Sequence, residues 1–105
     1  MDELNYIGKL YYLTYTFLLP LDKKEVSTSK QLGNITIKEA NECFKIECAI
    51  CNSKFKNWEV EKNLNYIKWK QGNYYYIIEL CSLPLYSINI DKGLTKVKNE
   101  KIVKI

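Results

Sequence analysis

The first dense apolar block, Lys9–Leu19 (KLYYLTYTFLL), mixes aromatic, Leu and Thr residues with apolar positions on both faces. That pattern predicts a strand in the middle of a sheet, or one covered on both sides. Pro20 ends it, and Leu21-Asp22-Lys23-Lys24 supplies a turn. In Glu25–Lys30, Val26 and Thr28 alternate with Glu25, Ser27 and Ser29, which predicts a returning strand before Gly33-Asn34 breaks the chain. The segment Ile35–Phe55 carries two patterns at once. Thr36-x-x-Glu39 is a capping box, and Ile37, Ala40 and Phe44 have helical spacing. From Cys43 onward, Phe44, Ile46, Cys48 and Ile50 alternate with Lys45 and Glu47. One long helix and a short helix followed by an irregular Cys-bearing loop are both allowed. Further on, Tyr66–Lys70 and Tyr74–Leu80 flank Gln71-Gly72-Asn73, a hairpin signal. Tyr86–Ile90 alternates again up to the turn Asp91-Lys92-Gly93, and Leu94–Ile105 reads as a last strand or a tail. The sum is an α+β domain: a small mixed sheet of four to five strands with one or two short helices.

A chain of 105 residues corresponds to a single domain, residues 1–105, with 92–105 as a Lys-rich C-terminal strand or tail. Composition changes the picture by what it lacks. With no His, every His-based triad, general base and metal site is excluded. With sixteen lysines and no arginine, bidentate clamping of phosphate or carboxylate is excluded too. Enzymatic roles recede, and binding, electron transfer or interaction come forward. The net charge of +4 is uneven, since residues 1–52 hold six Lys against seven acids and residues 53–105 ten Lys against five. The tail from Lys92 to Lys104 carries five Lys and one Glu, which reads first as a solvated terminus and second as a contact for an acidic partner. The run Leu10–Leu19 is shorter than the about 20 residues a membrane-spanning helix needs. Asp2 and Glu3 precede it where a signal peptide has basic residues, so the expected location is cytoplasmic, with no membrane partner.

In the cytoplasm, clustered cysteines point to metal or redox chemistry more than to disulfides. Cys43, Cys48, Cys51 and Cys81 form C-x4-C-x2-C, followed by 29 residues and a last Cys. A [2Fe–2S] cluster takes four thiolates, three from one loop and a fourth from elsewhere in the chain in the C-x4-C-x2-C…C arrangement. On this spacing the chain resembles plant-type ferredoxins. The surroundings of Cys81 carry the resemblance further, with Tyr76-Ile77-Ile78-Glu79-Leu80 before it and Cys81-Ser-Leu-Pro84 leading into Tyr86–Ile90. The resemblance spans roughly residues 8–92 and implies a β-grasp-like fold and a [2Fe–2S] cofactor with iron held by Cys43, Cys48, Cys51 and Cys81. It also implies one-electron transfer with a redox partner protein.

Other readings of the same residues stay open. The four thiols can be buried small hydrophobes, and on a helix Cys48 and Cys51 at i, i+3 share one face. Disulfides and a four-thiolate zinc site are further options. The alternative function is a cofactor-free protein-interaction module, such as a phage or mobile-element inhibitor or regulator of a host protein complex. Tyr66, Lys68, Trp69 and Lys70 interleave aromatics with Lys, a pattern found on surfaces that stack single-stranded nucleic acid or meet a protein. The competing reading of that hairpin is one aromatic face in the core and the Lys on the other.

Overall fold

A computed structural model describes residues 3–89 and 95–98. The order of elements is β1 (Glu3–Leu18), β2 (Val26–Gly33), α1 (Ile37–Lys54), β3 (Glu59–Asn63), β4 (Tyr66–Gln71), β5 (Tyr74–Asn89) and β6 (Thr95–Lys98). The strands form one sheet in the order β2-β1-β5-β4-β3, with β6 on β5. Every pairing among the described residues is antiparallel. The protein is thus α+β with a small antiparallel sheet, where the sequence pattern gave a mixed one.

The hairpins account for the antiparallel arrangement. Gln71 pairs with Tyr74 across Gly72, whose φ of 61° is a left-handed conformation that glycine adopts without steric cost. At the other long turn, Asp22 and Lys23 both donate backbone N–H groups to the Leu19 carbonyl. β1 and β5, each of 16 residues, pair along nearly their whole length, from Glu3↔Asn89 to Leu18↔Tyr75. At about 3.4 Å per residue this ladder sets the long dimension, and the Cα envelope measures 59 × 28 × 17 Å.

β5 runs without a break through Cys81 and Pro84, where the sequence pattern predicted two strands, Tyr74–Leu80 and Tyr86–Ile90. Leu80 exchanges hydrogen bonds with Asn65, so its N–H points away from β1. Two-residue alternation puts the nitrogen of Pro84 on that same side, and the β1 ladder loses no donor there. β3 has no counterpart in the sequence pattern. Glu59-Val-Glu-Lys-Asn63 is exposed at all five positions, so it lacks the apolar alternation that marks a strand. Its charges suit a sheet edge, which they keep from pairing with another chain.

α1 is a single helix of 18 residues that carries Cys43, Cys48 and Cys51, which excludes the irregular Cys-bearing loop. Thr36 caps it. The Thr36 Oγ1 accepts from the Glu39 N–H at 3.1 Å, and the Glu39 carboxylate accepts from the Thr36 N–H at 3.1 Å. Such a cap contributes about 1 kcal/mol. The buried helix positions are Ala40, Phe44 and Cys51, on one face. Ile46 and Ile50 are exposed, so the alternation that began at Phe44 does not describe a strand.

The helix packs on one face of the sheet. Tyr11, Leu13, Ile67, Trp69, Ile78 and Leu80 meet Ala40, Phe44 and Cys51 in one core cluster. Because side chains alternate along a strand, Tyr12, Thr14 and Thr16 of β1 and Tyr75, Ile77, Glu79 and Cys81 of β5 point to the opposite face. No helix covers that face among the described residues. A smaller cluster of Leu10, Leu83 and Leu85 lies further along it.

Candidate functional site

The four cysteines come from two elements on two sides of the sheet. Cys51 is buried in the core cluster, with Cys48 packed against it from the next helical turn. Cys43 is half-buried, five residues before Cys48 and so on another side of α1. Cys81 pairs in register with Tyr12, on the open face, and its thiol reaches the Glu79 carbonyl at 4.0 Å. The sheet therefore stands between Cys81 and the helix thiols. Among the described residues, no three Cys, Asp or Glu side chains gather as a metal site. As arranged here, the four thiols do not fit a [2Fe–2S] cluster, which needs all four around one pair of irons.

Burial governs the chemistry of Cys48, Cys51 and Cys81. It pushes the Cys48 thiol up to about 11, reinforced by Cys51 and opposed by Lys62. Cys51 and Cys81 are raised as well, burial again being the largest cause. Tyr12, Tyr66 and Tyr76 shift upward for the same first reason. Tyr15 is held well above the usual tyrosine range by burial and by donating to the Glu47 carboxylate at 2.9 Å, a strap from sheet to helix. All these groups bind protons more tightly folded than unfolded, so they stabilise the fold below the unfolded thiol range and lose that contribution at higher pH. Urea midpoints are expected to hold steady from neutrality to pH 9 and to fall as pH approaches about 11, through the Cys48 window. The gap between the wild type and Cys48→Ala should narrow across those two units. A midpoint that rises through the same range would contradict the burial of these groups.

The aromatic–lysine hairpin divides between the two faces. Trp69 is fully buried and donates its indole N–H to Asn52 Oδ1 of α1 at 2.9 Å. It is a core residue and leaves the candidate surface. Tyr66, Lys68 and Lys70 alternate with it and lie on the open face. Lys68 sits over the Tyr75 ring, 5.5 Å from its centroid. Each lysine of β4 faces a carboxylate of β3 in register, Lys68 opposite Glu61 and Lys70 opposite Glu59. Opposed charges at such positions offset each other. The open face is thus rich in tyrosine and hydroxyl groups, with Thr14, Thr16, Ser27 and Ser29 side by side, and close to neutral in charge.

Sequence reasoning missed a groove on the other side of the sheet. It runs between α1 and the β3–β4 hairpin and encloses ≈ 1330 Å³. Phe44, Ile67, Leu80 and Tyr11 supply its apolar floor, and Lys9, Lys45 and Lys62 stand around it from three different elements. No carboxylate lines it among the described residues. Its walls are tied at two points, by the Trp69–Asn52 bond between β4 and α1 and by the Asn65 amide donating to the Leu80 carbonyl at 3.1 Å. These lysines lie at positions 9, 45 and 62, and only the fold brings them together.

No helix among the described residues is long and apolar enough to cross a membrane. Compared with known protein families, with curated proteins and with solved structures, the chain has no match.

Proposed function

We propose that the chain is a cofactor-free protein-interaction module, not an enzyme, with a host protein as its target. The observation that carries this reading is the groove between α1 and the β3–β4 hairpin. It pairs an apolar floor with lysine and asparagine side chains and has walls already fixed by hydrogen bonds. An apolar centre within a polar rim is the anatomy of a protein-binding surface. Nucleic acid is the weaker reading. The Lys of the aromatic hairpin face carboxylates, and Trp69, the best stacking ring there, is buried.

The ferredoxin reading, with its β-grasp-like fold and redox partner, requires Cys81 to reach the helix thiols, and therefore a rearrangement of α1 or of β5. One experiment separates the two readings. The protein is purified anaerobically with iron and sulfide supplied, alongside a variant with Cys43→Ser, Cys48→Ala, Cys51→Ala and Cys81→Ser. The expected outcome is a colourless wild type and a variant with an unchanged far-ultraviolet circular dichroism spectrum. A brown protein with about two irons per chain, lost in the variant, would establish the cluster instead.

A further inference from the structure

We infer that the groove takes an extended acidic segment of a partner protein, whose apolar side chains meet the exposed Ile37 of α1 and Leu64 of the β3–β4 turn. This rests on the reading of the chain as an interaction module and adds the chemistry of the partner. Charge is the first argument. Lys9 on β1, Lys45 on α1 and Lys62 on β3 are all exposed and line one opening that no carboxylate shares among the described residues. Elsewhere on the sheet the comparable lysines, Lys68 and Lys70, are opposed by Glu61 and Glu59. The opening therefore gathers three lysines with no carboxylate in its own lining, and this charge attracts an anionic partner.

Size and chemistry narrow the anion to a polypeptide. An opening of ≈ 1330 Å³ exceeds the about 300–1,000 Å³ of ordinary small-molecule sites. Four amides are in its lining, Asn41 and Asn63 beside the two asparagines that brace the walls. An amide carries both a donor and an acceptor and so matches a peptide backbone. A nucleic acid would instead need exposed rings for its bases. Phe44 and Tyr11 are each only 8% exposed, so they offer an apolar floor and no free stacking face.

The test is selection from a random dodecapeptide library displayed on phage, panned on the intact protein at low ionic strength, with the chosen peptides then measured by fluorescence anisotropy. The selected peptides should be rich in Asp and Glu around one or two apolar residues. Their affinity should fall about tenfold or more in the double variant Lys45→Glu, Lys62→Glu, and fall again on raising salt. Lys23→Glu with Lys24→Glu, in the turn at the other end of β1, should leave it unchanged. Since Lys45 and Lys62 are exposed, the reversed variant should keep its circular dichroism spectrum and melting temperature. Peptides without acidic enrichment, or ones that bind the reversed variant equally well, would overturn the acidic assignment and leave the interaction reading standing. Enrichment of no peptide at all would remove the groove as a peptide site. Tight binding of a labelled single-stranded oligonucleotide, abolished by the same reversal, would assign the groove to nucleic acid. Failure of the interaction reading itself has a different signature, the iron-loaded protein described above.

Discussion

Trp69→Ala is expected to cost about 3–5 kcal/mol of folding free energy, the range for removing a large aromatic side chain from a core. Domains of this size are stable by about 5–15 kcal/mol in total, so the variant should be marginally folded or unfolded at 25 °C. Three features of the site place Trp69 in that range. The side chain has no solvent exposure. It packs among aromatic rings, 5.9 Å between centroids from Phe55 and 6.2 Å from Tyr76. Its N–H is bonded to Asn52, so the same residue joins β4 to α1 by packing and by a directed bond. Asn52→Ala is the informative companion. Asn52 is exposed, so its own loss is small, but the change strands the indole N–H inside the core at a cost of about 1–3 kcal/mol. A double-mutant cycle with Trp69→Phe should recover most of that cost as coupling, because the stranded donor is then gone. Urea unfolding of the four proteins gives the result. A Trp69→Ala variant within about 1 kcal/mol of wild type would mean that β4 presents its other face to the core.

Trp69 also shows where sequence reading reaches its limit. The hairpin of β4 and β5 was legible, because Gln71-Gly72-Asn73 is a turn between two aromatic-rich runs. What alternation could not settle was which set of β4 residues faces inward. Tyr66, Lys68 and Lys70 form one set and Ile67 and Trp69 the other, and the aromatic content is shared between them. The Thr36–Glu39 capping box correctly marked the start of a helix. Its length was ambiguous because Ile46 and Ile50 interrupt the polar side of α1 and imitate a strand, whereas the core contacts are at Ala40, Phe44 and Cys51. The 29-residue interval before Cys81 matched a ligand pattern in one dimension only. Spacing does not say on which side of a strand a thiol points, and an odd or even offset along β5 decides it. The turn at Asp91-Lys92-Gly93 lies outside the described residues. The groove was not legible at all, since its lysines are far apart in sequence and none belongs to a charge run.

The alternation that separates the two faces can be tested on adjacent residues, and it yields the second large effect. Leu13→Ala is expected to destabilise the protein by about 2–5 kcal/mol, and Thr14→Ala by less than about 1 kcal/mol. Leu13 is fully buried and sits in register between Lys30 of β2 and Leu80 of β5, on the face α1 covers. Both flanking strands are hydrogen-bonded to β1, so the backbone has little freedom to close the cavity, and a site that cannot collapse bears the larger cost. Thr14, one residue on, pairs with Ser29 and Glu79 on the open face and is only half-buried. Its hydroxyl is replaced there by water with little penalty. The contrast depends on which face of the ladder α1 covers. If the paired β1 and β5 presented their other face to the helix, Thr14 would enter the core and Leu13 the surface, and the two costs would exchange. Cys81, in register with Tyr12, would then turn toward α1 as well. Equal or exchanged costs in urea unfolding would therefore undo the separation of the four thiols, whereas the expected ordering keeps Cys81 across the sheet from Cys48 and Cys51.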